Sequence, residues 1–289
     1  MIGFDELGVK GWLGNQMFQY ASLKGIASFC GYEYCIPPND ATRSCNYLLF
    51  DLFKLSTLKN ISYINKPTYI HKTSDIPGHS TSFHFENSFM EECPDNVNIS
   101  GFFQSEKYFK HISDSIRKDF EFKDYILEEC LSFISQFDKK PIFLHIRRGD
   151  YLKKSNHHNV LSIEYYERAL QYFDDNTNVI VFSDDIEWCK KQKLFSSDRF
   201  FLSETTDRLP LTNYIRQNGY TQGALVPHFD LCLMSLCSGA IIANSSFSWW
   251  GAWIQDDQNK KVIAPNKWYG PLNSHLIIKD LCPDDWIII

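Results

Sequence analysis

The second half of the sequence predicts an α/β fold with a parallel β-sheet. Short runs that are apolar throughout recur along residues 141–264, and segments with helical periodicity separate them. Strands of this kind are buried on both faces, and helices that join them make the sheet parallel. Ligands of such sheets bind beyond the carboxyl ends of the strands. The loops that follow residues 146, 182 and 243 are therefore the first places to search for a functional site.

The predicted elements follow one another as strand and helix. The predicted strands cover residues 141–146, 178–182, 199–202, 240–243 and 261–264. The predicted helices cover a segment that starts at residue 162, then 186–193 and 230–237, and in the first half 15–29 and much of 107–137. A charged stretch followed by Pro141 precedes the first clear strand. We therefore expect an N-terminal domain over 1–138 and a C-terminal domain over 139–289.

Composition describes an ordinary globular chain and excludes several classes of function. The chain has 289 residues, 44% of them hydrophobic and 22% charged, so it is not a disordered protein. Its formal net charge of −6 argues against a broad nucleic-acid surface. An anionic substrate must then be met by a local cluster of basic residues. The 9 cysteines include no CxxC pair and are expected to be buried thiols.

The location predicted from the sequence is cytoplasmic. The first six residues include two acids, where a secretory signal needs basic residues followed by an apolar run. No run of 18 uncharged apolar residues occurs that would span a membrane.

The loop after the first predicted strand of the second half carries two adjacent arginines, Arg147 and Arg148, followed by Gly149 and Asp150. Arginines beside a buried strand are costly unless they are paired or face a ligand. A guanidinium fork matches phosphate oxygens, so the loop is a candidate phosphate site. The alternative is that Asp150 pairs with one arginine and the cluster only ties the loop down.

Two other loops at the same predicted edge carry polar side chains. The loop at Asn244 contains three serines within five residues and opens a predicted helix, whose N-terminus would attract phosphate. The loop of Ser183 and Asp184 offers a carboxylate that could accept hydrogen bonds from a guanine base or cap a helix. A metal site is not expected there, because no HExxH motif and no pair of histidines at ligand spacing occur.

A fourth candidate is a glycine turn near the N-terminus. Gly14, Asn15 and Gln16 follow this turn at the start of a predicted helix, where amide side chains would face a cleft between domains. The segment is neither a GxGxxG fingerprint nor a Walker A loop. Its alternative role is that of a capping turn.

Three segments together closely resemble the sequence blocks of the α-1,2-fucosyltransferase family. They are residues 14–21 (GNQMFQYA), 145–151 (HIRRGDY) and 244–253 (NSSFSWWGAW), and they occur in the family's order over nearly the whole chain. The shorter segments 182–185 and 264–268 also look like that family. Trp12 is a departure, since the family usually has glycine there, and Asp5 and Glu6 interrupt the first strand.

The resemblance implies a GT-B-like fold with two Rossmann-like domains facing across a cleft. It implies metal-independent, inverting transfer of L-fucose from GDP-fucose to the 2-hydroxyl of a galactose-terminated oligosaccharide or glycolipid, with no further cofactor. Such a protein would act in O-antigen or lipopolysaccharide synthesis at or near the inner membrane. By the same resemblance Arg147 and then Arg148 meet the diphosphate. Ser246, Phe247 and Ser248 contribute at the phosphates, and Gly14 and Asn15 at the donor.

The proposed reaction depends on stabilising the negative charge that develops on the leaving group, GDP. Breaking the sugar–phosphate bond builds negative charge on GDP, which Arg147 is placed to stabilise. Asp150 and His145 are the nearest candidates for the base. Two other interpretations remain open: a fucosyltransferase that makes another linkage, and a non-catalytic protein that binds carbohydrate or nucleotide sugar on the same fold.

Overall fold

A computed structural model describes residues 1–9, 11–39, 47–70, 84–203 and 226–289. The chain divides into two compact units. Unit 1 comprises residues 1–123 and 276–284, and unit 2 comprises residues 124–275 and 285–289. Each unit contains its own parallel β-sheet.

Unit 1 is built on a five-stranded sheet with the order β3-β2-β1-β5-β4, in which every pair is parallel. Its elements are β1 (Ile2–Gly3), α1 (Leu13–Cys30), β2 (Tyr34–Ile36), α2 (Leu49–Leu52), β3 (Asn60–Ile61), β4 (Thr68–Ile70), α3 (Asn87–Glu92), β5 (Asn98–Ser100) and α4 (Ser113–Asp119). Two short 3₁₀ turns, Glu106–Tyr108 and Lys110–Ile112, precede α4.

The two acids that interrupt the first strand secure the carboxyl edge of this sheet. The carboxylate of Asp5 accepts hydrogen bonds from the backbone N–H of Ile64 at 2.9 Å and of Asn65 at 3.1 Å. Glu6 accepts one from the hydroxyl of Ser100 at 2.6 Å. These contacts explain why β1 is short, since its continuation serves the loops and not the ladder.

Helix α1 crosses the unit almost wholly buried and carries a charged residue into the interior. Lys24, 7% exposed, donates to the Asp119 carboxylate at 2.5 Å and to the Ser115 hydroxyl at 2.7 Å. Tyr20 donates to the same carboxylate at 2.6 Å. Burial lowers the pKa of Lys24, while Asp119 favours its charged form. The helix ends where Gly31 adopts the left-handed conformation that favours glycine.

Unit 2 contains a six-stranded sheet with the order β11-β10-β9-β6-β7-β8, and every pair is again parallel. Its elements are α5 (Asp124–Ile134), β6 (Ile142–Ile146), α6 (Gly149–Lys153), α7 (Ile163–Leu170), β7 (Val179–Ser183), α8 (Ile186–Lys190), β8 (Phe200–Leu202), α9 (Val226–Leu236), β9 (Gly239–Ile241), α10 (Ser246–Ile254), β10 (Lys261–Ala264) and β11 (Ile287–Ile288). The predicted α/β class and parallel sheet are confirmed.

The strand order of unit 2 reverses direction at one point. From β6 the chain proceeds outward through β7 and β8, and it then returns to the other side of β6 with β9, β10 and β11. Loops that leave β6 and β9 therefore diverge to opposite faces and leave a crevice at the carboxyl edge. The loop with the two arginines and the loop with the serines are the two that flank this point.

Several details differ from the sequence-based expectations. The structure divides the chain after Lys123 and not at residue 138. Helix α5 belongs to unit 2, because it packs on α9, and its Cys130 thiol contacts the Phe229 carbonyl at 3.7 Å. The helical segment predicted over 107–137 consists of 3₁₀ turns, α4 and α5. The short helix α6 and the edge strand β11 were not predicted.

Two further observations concern the described residues only. None of their helices is both long and apolar enough to cross a membrane. The cysteines within the described ranges are free thiols, and six of these eight are buried.

Candidate functional site

The polar loops predicted to form a site converge at the carboxyl edge of the unit 2 sheet. They follow β6, β7 and β9, which lie side by side at its centre. The Tyr151 hydroxyl donates to the Asn244 carbonyl at 3.0 Å, which links the loop after β6 to the loop after β9. The rings of His145 and Phe247 lie 5.9 Å apart across the same two strands. The crevice at the strand reversal is thus bounded by both loops.

Arg147 is held at this edge by two carboxylates. Its Nη2 donates to Asp150 Oδ1 at 2.7 Å, and its Nη1 lies 3.2 Å from Asp184 Oδ2. The side chain stays 30% exposed. Its guanidinium carbon also lies 5.5 Å from the centre of the Tyr151 ring. A preoriented and partly exposed cation is suited to binding an anion.

Asp184 positions the arginine loop by contacting it at two points. Besides Arg147, it accepts a hydrogen bond from the backbone N–H of Arg148 at 2.8 Å. A Cβ atom at position 149 would lie 2.7 Å from Asp184 Oδ2, so only glycine permits this close approach. Asp184 thus holds the loop of Arg147, and the predicted contact of a carboxylate of this loop with a guanine base stays a prediction.

The helix cap predicted as an alternative for this loop is made by the neighbouring acid. Asp185 Oδ1 accepts a hydrogen bond from the Trp188 N–H at 3.2 Å and caps α8. The hydroxyl of Ser183 accepts one from the N–H of Asp185 at 2.9 Å and shapes the same turn. Both residues thus have local structural tasks.

Arg148 is placed differently from Arg147, although the two are adjacent in sequence. Its Nε donates to Asp185 Oδ2 at 3.2 Å, and its guanidinium carbon lies 4.0 Å above the centre of the Trp188 ring. Its side chain is only 16% exposed. The cation–π contact and the ion pair hold Arg148 against α8. Trp188 had no sequence signal, because nothing in the motif indicates which aromatic residue will stack on the arginine.

The serine loop forms the start of helix α10. Ser245 is the N-cap, and its hydroxyl accepts a hydrogen bond from the Phe247 N–H at 3.4 Å. Ser246 and Phe247 are half-buried in the first turn, where backbone N–H groups have no partners within the helix. Ser248 is fully buried and donates to the carbonyl of Ser245 at 3.3 Å. Of the predicted phosphate contacts, Ser246 and Phe247 are therefore displayed and Ser248 is not.

Asn244 is buried and links its loop to two other segments of unit 2. Its side-chain amide donates to the Asn159 carbonyl at 2.8 Å and to the Trp268 carbonyl at 2.7 Å, and the residue is 1% exposed. It thereby joins the loop after β9 to two surface segments of unit 2. This placement explains the residue by structure, and its predicted role as a donor contact stays a prediction.

His145 lies in β6, two residues before Arg147, and is 5% exposed. Its Nδ1 is buried and makes no hydrogen bond within the described part of the chain. Burial, and then the charge of Arg147, lower its pKa to about 3. The imidazole is therefore neutral around pH 7. Its predicted catalytic role stays a prediction, and such a depressed pKa is unfavourable for a group that must accept a proton.

Tyr151 and His158 form a stacked pair beside the arginine loop, with ring centres 4.3 Å apart and planes at 10°. Burial raises the pKa of Tyr151 to about 12 and lowers the pKa of His158. The pair packs α6 against the segment at His158, next to Arg147.

The remaining predicted residues lie in unit 1. Gly14 and Gln16 are buried in the first turn of α1, and Asn15 is half-buried. The Gln16 side chain accepts a hydrogen bond from the Leu48 N–H at 3.1 Å, and Asn15 Oδ1 accepts one from Gln104 Nε2 at 2.7 Å. These contacts anchor the turn within its own unit, while Trp12 at the N-cap makes no side-chain capping hydrogen bond. Donor contacts from Gly14, Asn15 and Gln16 stay predictions.

The formal charges at the arginine loop nearly balance. Arg147 and Arg148 supply two positive charges, and Asp150, Asp184 and Asp185 supply three negative ones. An arriving anion must therefore compete with a carboxylate for the guanidinium of Arg147. Asp150 is the exposed one of its two partners, with 43% of its side chain accessible, so it is the one that can move away.

Comparison with known proteins places the whole chain in one family. The model of "Glycosyl transferase family 11" matches residues 2–288. The chain belongs to glycosyl transferase family 11. This membership confirms the resemblance to α-1,2-fucosyltransferases that the three sequence blocks carry, and with it the expectation of an enzyme.

Curated relatives of this family 11 protein include two from Escherichia coli. An α-1,2-colitosyltransferase is 31% identical, with 97% of each chain covered. The O-antigen biosynthesis glycosyltransferase WbnK is 27% identical over 96% of this chain and 98% of the relative. The galactoside 2-α-L-fucosyltransferase Sec1 of Mus musculus is 29% identical, over 87% of this chain and 64% of the mouse protein.

Solved structures confirm the predicted GT-B-like fold. The fucosyltransferase NodZ of Bradyrhizobium aligns with a TM-score of 0.53 over 86% of this chain and 91% of its own, at 12% identity. POFUT1 in complex with GDP aligns with a TM-score of 0.51 over 91% and 96% of the two chains, at 14% identity. At these identities the likeness concerns the fold alone.

Proposed function

We propose that this protein transfers L-fucose from GDP-fucose to the 2-hydroxyl of a terminal galactoside, with inversion at the sugar carbon. The observation that carries the proposal is the preoriented guanidinium of Arg147 beside the first turn of α10, at the strand reversal of a family 11 chain. A diphosphate needs a cation and hydrogen-bond donors, and in this chain of net charge −6 the partly exposed guanidinium of Arg147 and the first turn of α10 offer them at one edge of one sheet.

Arg147 and the first turn of α10 act on the leaving group. The acceptor oxygen forms a bond to the anomeric carbon while the bond from that carbon to the β-phosphate oxygen breaks, and the electron pair stays on GDP. The guanidinium and the backbone N–H groups of the helix stabilise the charge that develops there. No metal enters this proposal, because the arginine and the helix supply the positive charge.

Asp150 changes partners in this scheme. Its carboxylate is ion-paired with Arg147 and accepts a hydrogen bond from that guanidinium. When the diphosphate takes its place on the guanidinium, Asp150 becomes available to accept the proton of the attacking hydroxyl. Asp184 continues to hold Arg147 during the exchange, because it also grips the backbone of Arg148.

A second donor is favoured by a specific observation. The relative with 31% identity over nearly its whole length is a colitosyltransferase, and colitose is L-fucose without its 3-hydroxyl. The same leaving group and the same inversion apply to GDP-colitose. Transfer of colitose is therefore the alternative for this chain.

The setting that we propose is the synthesis of a cell-surface glycan such as O-antigen. WbnK, which aligns over nearly its full length, is an O-antigen biosynthesis glycosyltransferase. The proposed acceptor is a galactose-terminated oligosaccharide or glycolipid precursor on the cytoplasmic side of the inner membrane.

The test is an assay of purified protein with GDP-fucose or GDP-colitose against lactose and against Gal–GlcNAc and Gal–GalNAc acceptors. We expect a product with an α-1,2 linkage, determined by NMR, and no need for added divalent metal in the presence of a chelator. A different linkage would refute the regiochemistry. A GDP-dependent rise in melting temperature without any transfer would favour the non-catalytic binding protein.

A further inference from the structure

Beside the arginine loop, two linked segments of unit 2 carry exposed leucines and lysines and contain no acid. The segments are residues 151–160 and 266–275, which together contain three lysines, three histidines and no aspartate or glutamate. We call them together the Leu–Lys surface and define it by Leu152, Lys153, Lys154, Lys267 and Leu272. Leu152 is 48% exposed and Leu272 is 58% exposed, and the three lysines are exposed as well.

Backbone contacts fix the two segments to each other. The N–H of Gly270 donates to the His157 carbonyl at 2.9 Å, and the N–H of Leu272 donates to the Asn156 carbonyl at 2.8 Å. A Cβ atom at position 270 would lie 2.4 Å from the Ser155 carbonyl oxygen, so glycine is needed for this approach. The exposed leucines are thus displayed on an ordered part of the molecule.

The charge of this surface is not compensated within the described part of the chain. Lys153, Lys154 and Lys267 form no ion pair there, whereas Lys107, Lys110 and Lys190 pair with acids elsewhere. The nearest acid in sequence, Asp150, is paired with Arg147. Three uncompensated lysines stand out in a chain with six more acids than bases.

We infer that the Leu–Lys surface docks this protein onto an anionic phospholipid bilayer. Isolated leucines flanked by lysines match such an interface, because the apolar side chains enter the headgroup region while the ammonium groups meet lipid phosphates. A protein partner would instead favour a contiguous apolar patch. The inference rests on the proposed function for its setting, since a docked enzyme would present its arginine loop towards a lipid-linked acceptor.

The experiment measures cosedimentation of the full chain with vesicles of phosphatidylcholine that contain 30% phosphatidylglycerol, and with vesicles of phosphatidylcholine alone. Each lysine near an anionic surface contributes about fivefold in affinity. We expect Lys153→Gln/Lys154→Gln to weaken binding to the anionic vesicles by at least about tenfold. The matched control is Lys191→Gln/Lys193→Gln, which removes two exposed lysines from the segment after α8.

A second pair of variants tests the leucines. We expect Leu272→Ser to weaken vesicle binding several-fold, while Leu131→Ser, which changes a 47% exposed leucine on α5, leaves it unchanged. Transfer to a soluble acceptor without vesicles should be unaffected by all four variants.

Three results would overturn the inference: equal binding to both kinds of vesicle, equal loss in the lysine variant and its control, or conversion of a dimer to a monomer by Leu272→Ser without vesicles. The last result would assign the surface to a second copy of the chain. If vesicle binding follows the expected pattern but no donor is consumed, the proposed function fails and the docking surface stands.

Discussion

The buried imidazole of His145 makes the stability of unit 2 depend on pH. Its pKa is about 3 in the folded protein, against about 6.5 for an unfolded chain. As the pH falls below 6.5, His145 binds a proton in the unfolded chain but stays neutral in the folded protein. The free energy of unfolding therefore falls with decreasing pH, from the unfolded pKa down to the folded one.

The magnitude follows from that difference in pKa. One pH unit within the window corresponds to about 1.4 kcal/mol, so lowering the pH from 7 to 5 should cost about 2 kcal/mol through His145 alone. His145→Asn removes the titrating group and should remove this share of the pH dependence. The variant's stability at pH 7 does not enter the comparison, because only the difference between the two pH values is used.

Urea titrations followed by tryptophan emission provide the assay. Six of the seven tryptophans belong to unit 2, so the signal reports mainly the unfolding of that unit. His157→Asn is the matched control, because it removes an exposed imidazole from the same unit. Identical losses between pH 7 and pH 5 in the native protein and in His145→Asn would refute the reasoning.

Further predictions concern the arginine loop and the core of unit 1. Arg147→Lys should lower kcat by ~10²–10³-fold, as for the loss of a transition-state donor, and near-normal turnover of GDP-fucose would contradict this role. Gly149→Ala and Asp184→Asn should each lower kcat through a displaced Arg147, with a helical circular-dichroism spectrum unchanged from the native protein; retained kcat in both variants would show that Asp184 is dispensable. Lys24→Met should destabilise unit 1 by about 3–5 kcal/mol in urea titration, because the buried side chain of Asp119 loses its ion-pair partner, and Lys24→Met/Asp119→Leu should be less affected than the single variant.

Much of the fold of unit 2 was predictable because its signals are local. The apolar runs of β6, β7 and β10 are long enough to be recognised as buried strands, and the helices between them require a parallel sheet. Unit 1 was less predictable. Its strands are only two or three residues long, and the start of its first strand is followed by acids that serve neighbouring loops.

The candidate site shows the same division. Arg147 and the serine turn were identified because loops at the carboxyl ends of parallel strands share one edge. The different fate of Arg148 was not predictable, because its contact with Trp188 depends on how α8 packs. The role of Asp184 was not predictable either, because its hydrogen bond with the backbone N–H of Arg148 depends on the spacing of β6 and β7.

By itself the sequence determined the α/β class, the family and the three loops where polar side chains are concentrated, since each depends on residues close together in the chain. Only the tertiary structure decided which polar groups remain accessible. Arg147 and Ser246 are displayed, whereas Ser248 and Asn244 are consumed by backbone carbonyls. The physical reason is that most buried polar groups find a partner, and Ser248 finds it in its own turn whereas the Asn244 amide finds it in segments distant in sequence.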